Sequence, residues 1–271
     1  MTAEAQAATA DLAPARDVVP TNEILREITR GGIAGLIAGI LVAGVGGRLV
    51  MRLAALLVPG STGALTENGN RIGDITAGGT FALILFVGLF FGTVAGSLWV
   101  TLRPWLPAAP GLRALVSIPI AVALGTRGLV DGTNRDFIVL EGSPLVVASL
   151  VALVALFGPT LVLAERWLDG RLPHAGRDDG RIIAGYSVIT LLGLTLTLLA
   201  VVPAYLGGDM RIAGIALVVV GAATAGSWLL RATDRPIPAW VGLVARLGIT
   251  CAVVAGSAVA IAELLEAVAR A

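Results

Sequence analysis

The chain has 271 residues, of which 56% are hydrophobic and 14% charged, with a mean hydropathy of +0.91. That is too apolar for one water-soluble core, and the apolar residues come in runs of roughly 20 with few charges, the length a bilayer core demands. A net charge of +1 gives no reason to expect nucleic acid as a partner.

All 19 cationic residues are Arg, a bias most simply ascribed to a GC-rich, bacterial coding sequence. Residues 1–31 form a polar tail of mixed charge with no apolar core before Ala5-Gln6-Ala7, so no cleavable signal is expected and the first span serves as its own insertion signal. Within this tail, Glu23 to Arg30 can form a short interfacial helix that leads into the membrane.

The predicted fold is all-α, a polytopic transmembrane helical bundle of about seven spans, at residues 32–58, 79–102, 112–130, 144–164, 182–206, 212–230 and 241–265. Turn residues punctuate them: Pro59-Gly60, Asn68-Gly69, Asp131-Gly132, Gly207-Gly208 and Arg235-Pro236. The polar stretch 165–181 reads as a linker between a four-span unit, 32–164, and a three-span unit, 182–271. Arg residues divide 11 to 5 between the two sides, leaving out Arg48, Arg52 and Arg246 as membrane-embedded. The positive-inside rule then puts the N-terminus in the cytoplasm and, with an odd number of spans, the C-terminus outside, in a cell membrane.

In the first span, Gly31, Gly35, Gly39, Ala43 and Gly47 recur every four residues and leave a stripe free of large side chains. Helices in lipid associate through such close contact, so the stripe can receive another helix, a membrane-protein partner or a second copy of the chain. Gly92 and Gly96 repeat the pattern on the second span, beside a row of Thr93, Ser97 and Thr101 able to bond across an interface. Pro119 and the pair Gly158-Pro159 interrupt the third and fourth spans, where kinks are expected.

Arg48 and Arg52, four residues apart, interrupt the end of the first span and project from one helix face. An arginine at this depth reaches outward to the headgroups, pairs with a carboxylate, or forms an anion site. Three turns on the same side carry Asn68-Gly69-Asn70-Arg71 with Asp74, Asp131-Gly132-Thr133-Asn134-Arg135-Asp136, and Gly208-Asp209-Met210-Arg211. The candidate polar cluster at the outer face is therefore Arg48, Arg52, Arg71, Asp74, Arg127, Asp131, Asn134, Arg135 and Asp136, either a charge-paired cap or a set of independent Gly/Asn/Asp turns. The likeness of the first two turns also allows a parallel repeat of the first two spans in the next two.

The stretches Gly47-Arg48-Leu49-Val50-Met51-Arg52, Gly73-Asp74-Ile75-Thr76-Ala77-Gly78-Gly79-Thr80, Leu102-Arg103-Pro104-Trp105-Leu106-Pro107 and Asn134-Arg135-Asp136-Phe137 resemble, in this order, a group of bacterial multi-pass membrane proteins to which no activity is attached. The resemblance covers residues 32–166 and implies a membrane location alone. The group usually has Asn-Pro-Asp-Phe where this chain has Asn134-Arg135-Asp136-Phe137, so no role of that proline is carried over.

No catalytic motif is found. His174 is the one histidine, in a charged loop, too few ligands for a zinc site. Cys251 lies in an apolar run and reads as a small hydrophobe. Neither metal nor cofactor is expected, and catalysis is not. The lipid bilayer is the expected partner, and a structural, accessory or interaction role is preferred over transport of a small anionic solute.

Overall fold

A computed structural model describes residues 20–58, 62–63, 73, 77–126, 143–206 and 208–270. Among them every regular element is helical. The long helices are α1 (Pro20–Leu57), α2 (77–102), α3 (Pro110–Gly125), α4 (Pro144–Asp169), α5 (Gly180–Leu206), α6 (Arg211–Ala232) and α7 (Ala239–Arg270). Short 3₁₀ turns follow α2 at Arg103–Trp105 and precede α6 at Gly208–Met210. Five segments are long and apolar enough to cross a bilayer: Pro20–Leu57, Pro144–Asp169, Gly180–Leu199, Gly208–Ala232 and Ala239–Glu266. Pro110–Gly125 is apolar but shorter.

The ends of the helices follow their chemistry. Pro110 and Pro144 each open a helix at the first turn, where an amide hydrogen has no intrahelical partner. Three ends differ from expectation, one being that of α7, which runs five residues past 265 to Arg270. The tail residues from Pro20 join the first span as one continuous helix, and α4 runs five residues past 164 to Asp169. The extensions of α1 and α4 carry charges that meet each other.

α1 and α2 pack through glycine. A Cβ on Gly92 would lie 2.7 Å from the Gly35 carbonyl oxygen, and one on Gly39 2.7 Å from the Gly92 Cα. Gly35 and Gly96 likewise face backbone, so the two main chains touch directly. The expected stripe of five small residues does not run the length of α1, because Gly39–Gly46 is π-helical, as is the facing stretch Ile84–Phe91. A π turn closes on the fifth residue instead of the fourth and so shifts the phase of everything beyond it. Past the slip, Gly44 meets Ile84 at 3.1 Å, while Gly47 has only Leu83 at 3.6 Å.

The expected hydroxyl row on α2 turns inward on its own helix. Thr93 donates to the Leu89 carbonyl at 2.7 Å, Ser97 to Thr93 at 2.9 Å and Thr101 to Leu98 at 2.6 Å. In an apolar surround the carbonyl one turn back is always in reach, whereas a partner across an interface is not.

The rest of the bundle closes on small contacts and apolar clusters. Gly158 of α4 faces Ser117 of α3, and a Cβ on Gly256 of α7 would lie 2.5 Å from the Ala123 carbonyl oxygen. One cluster joins Ile120 and Leu124 to Met210, Leu217, Val220 and Ile249 across α3, α6 and α7. Another joins Ala34 and Ala38 to Trp99 and Leu161. α5 lies outermost, with Leu191, Leu194, Leu198 and Leu199 more than half exposed, the surface a bilayer would cover.

Candidate functional site

Of the residues proposed at the outer end, Arg48 and Arg52 are described. Arg71, Asp74, Arg127, Asp131, Asn134, Arg135 and Asp136 lie outside the described residues. Although four residues apart, the two arginines have different surroundings. Arg48 is 8% exposed; its Nε donates to the Thr80 hydroxyl at 3.3 Å and its Nη1 points at the Met51 sulfur at 3.8 Å. Arg52 is exposed and donates to the Gly73 carbonyl at 2.5 Å. Gly73 takes a positive φ of 92°, a conformation that glycine adopts without strain. Among the described residues neither arginine makes an ion pair.

The opposite end holds an ion network, buried at Arg26, Arg103 and Glu165, that the sequence did not single out. Glu165, 4% exposed on the last turns of α4, accepts hydrogen bonds from Arg103 and, at 3.0 Å, from the Trp99 indole. Arg30 of α1 stands 3.5 Å from the same carboxylate and also pairs with Asp169. Arg103 reaches Glu27 at 3.1 Å, and Glu27 meets Arg231 from the end of α6 at 3.3 Å. Arg26, 2% exposed, pairs with Glu23 at 2.9 Å and Asp169 at 3.0 Å, and donates to the Leu172 carbonyl.

The loop after α4 is pinned to the same place. Asn22 donates to the carbonyls of Ala175 and Gly176, Thr29 to that of Tyr186, and the Tyr186 hydroxyl to that of Pro173. His174 lies 2.9 Å from Glu23 with over half its side chain exposed. The segments from which the inside Arg residues were counted thus gather at one end of the bundle. Four arginines (26, 30, 103 and 231) face four carboxylates (23, 27, 165 and 169). Charges leave water at acceptable cost only when matched and hydrogen-bonded in this way.

Between the two ends lies a cavity of about 190 Å³ walled by α1 to α4 and capped by Tyr205. The end toward Arg48 is formed by Gly47, Gly125 and Leu150 and the other end by Trp99, Leu102 and Leu161, beside the ion network. The few polar groups on its wall are committed elsewhere: the Ser117 hydroxyl donates to the Ala114 carbonyl, the Tyr205 hydroxyl to Leu124 at 2.5 Å, and the Trp99 indole to Glu165. Neither Arg48 nor Arg52 lines it. Among the described residues no group of His, Cys, Asp and Glu is arranged to hold a metal ion.

No protein-family model matches the chain, and neither a curated protein nor a solved structure is similar to it.

Proposed function

We propose that the chain is a seven-span protein of a bacterial cytoplasmic membrane, N-terminus inside and C-terminus outside, with a structural or accessory role and no catalysis of its own. The observation that carries this reading is the cavity: it leaves out both arginines and offers a solute no uncommitted hydrogen-bond donor. A carrier for an anion needs donors or positive charge along its path. The ion network below the cavity and the backbone contact between α1 and α2 both support a role in holding helices together. A protein partner or second copy would be received on faces other than Gly35 and Gly39, which α2 already fills.

Transport of a small anion is the second reading, favoured by Arg48 alone, a buried guanidinium without an ion pair among the described residues. Flux separates the two. Vesicles containing the purified protein and loaded with chloride, sulfate or phosphate should release these ions no faster than protein-free vesicles. A release that Arg48→Gln abolishes would replace the structural reading by the transport one.

A further inference from the structure

The cavity has a shape and an entrance that select its contents. It extends along α4 from Leu150 to Leu161, roughly 16 Å at 1.5 Å per residue. Lining residues spread over about three turns of α4 make the cavity an elongated slot. Phe91 is the one exposed residue among those lining the slot, at 45%, and is taken as its opening. Phe91 sits near the middle of the 77–102 helix, which places the opening at the depth of the hydrocarbon rather than of the headgroups. The end beside the ion network is shut by Trp99 and Leu161 over the Arg103–Glu165 pair.

Water is a poor occupant, because an ordered water needs two to four polar partners and the donors on this wall are spent. A compact apolar solute would leave most of the slot empty. We propose that the slot binds one acyl chain of a membrane phospholipid, which enters from the bilayer past Phe91 and lies along α4 between Leu150 and Leu161. The proposal depends on the membrane location and not on the structural role.

Photolabelling tests it. The protein is placed in phosphatidylcholine vesicles doped with phosphatidylcholine that carries a diazirine midway along one chain, irradiated, and mapped by mass spectrometry. Adducts are expected at Ile120 and Val154, cavity residues only 6% and 7% exposed, as well as at Leu194 and Leu198 on the outer face of α5. Ala95 and Ala121 also line the slot, so the double substitution Ala95→Leu/Ala121→Leu fills it and removes the first pair of adducts while sparing the second. Labelling of Leu194 and Leu198 without Ile120 and Val154 in the unaltered protein overturns the proposal, whatever the fate of the variant. So does labelling of Ile120 and Val154 by a diazirine fatty acid but not by the phospholipid, because the occupant would then be a free acid.

Discussion

Neutralising Glu165 is the most direct test of whether the ion network holds the bundle together. Removing one member of a buried pair typically costs ~3–5 kcal/mol, because the charge left behind is poorly compensated. Here Arg103 retains Glu27 at 3.1 Å and Arg30 retains Asp169, and a Gln at 165 still accepts from the Trp99 indole. Glu165→Gln should therefore cost about 2–3 kcal/mol, below the lower end of that range. Glu165→Leu also orphans the indole N–H and should cost about 1–2 kcal/mol more. Reversible unfolding in mixed micelles, followed by tryptophan fluorescence, measures both. Combining Glu165→Gln with Arg103→Gln should give less than the sum of the single losses, by ~0.5–3 kcal/mol, since these two groups are in direct contact. The exposed His174–Glu23 contact is the contrast, and His174→Ala should cost only ~0–1 kcal/mol. A Glu165→Gln protein within ~0.5 kcal/mol of the parent, with an additive double variant, would refute the reasoning.

The glycine contact and the orientation have tests of their own. Gly35→Leu must push α1 away from the backbone of Gly92 and Gly96 and should cost upward of ~1–3 kcal/mol, seen as lost folded yield, whereas Gly32→Ala, with nothing within 4 Å of the added Cβ, should be tolerated. An unchanged yield for Gly35→Leu would mean that the contact does not form. A reporter active only outside the membrane should be silent when fused after Leu172 and active after Gly69, and the reverse pattern would invert the proposed orientation.

Helix positions were legible from the sequence because the apolar runs and their turn residues are explicit; α5 and α6 begin and end within two residues of the expected bounds. The phase of α1 was not. A stretch such as Gly39–Gly46, small and apolar all round, reads the same as α or π, so the four-residue glycine stripe gave no warning of the slip after Gly39. The ion network was hidden for another reason. Arg30 and Asp169 are 139 residues apart, and each of the four arginines already had a sufficient explanation as a charge that keeps a loop inside. The available signal was the acids. Glu27, Glu165 and Asp169 fall on the side richest in Arg, next to apolar runs, where a carboxylate serves no topological purpose. Arg48 and Arg52 were legible as exceptional, but equal helical spacing suggested equal surroundings. Packing made one buried beside Thr80 and left the other on the surface.

The balance of four arginines against four carboxylates has a consequence for how the bundle is built. Glu27 is shared by Arg103 and Arg231, Glu165 by Arg30 and Arg103, and Asp169 by Arg26 and Arg30, so each of these three carboxylates bridges two arginines. These groups come from α1, the α2–α3 turn, α4 and the end of α6, so no two neighbouring helices can complete the set. Arg231 adds the contact from α6 to Glu27 on α1, at 3.3 Å, with the two side chains 39% and 18% exposed. That contact ties α6 to α1 by charge, in a solvent where apolar surface supplies no drive for helices to associate. Arg48, at the other end of α1, is buried with a hydroxyl and a thioether for company and has no such partner among the described residues.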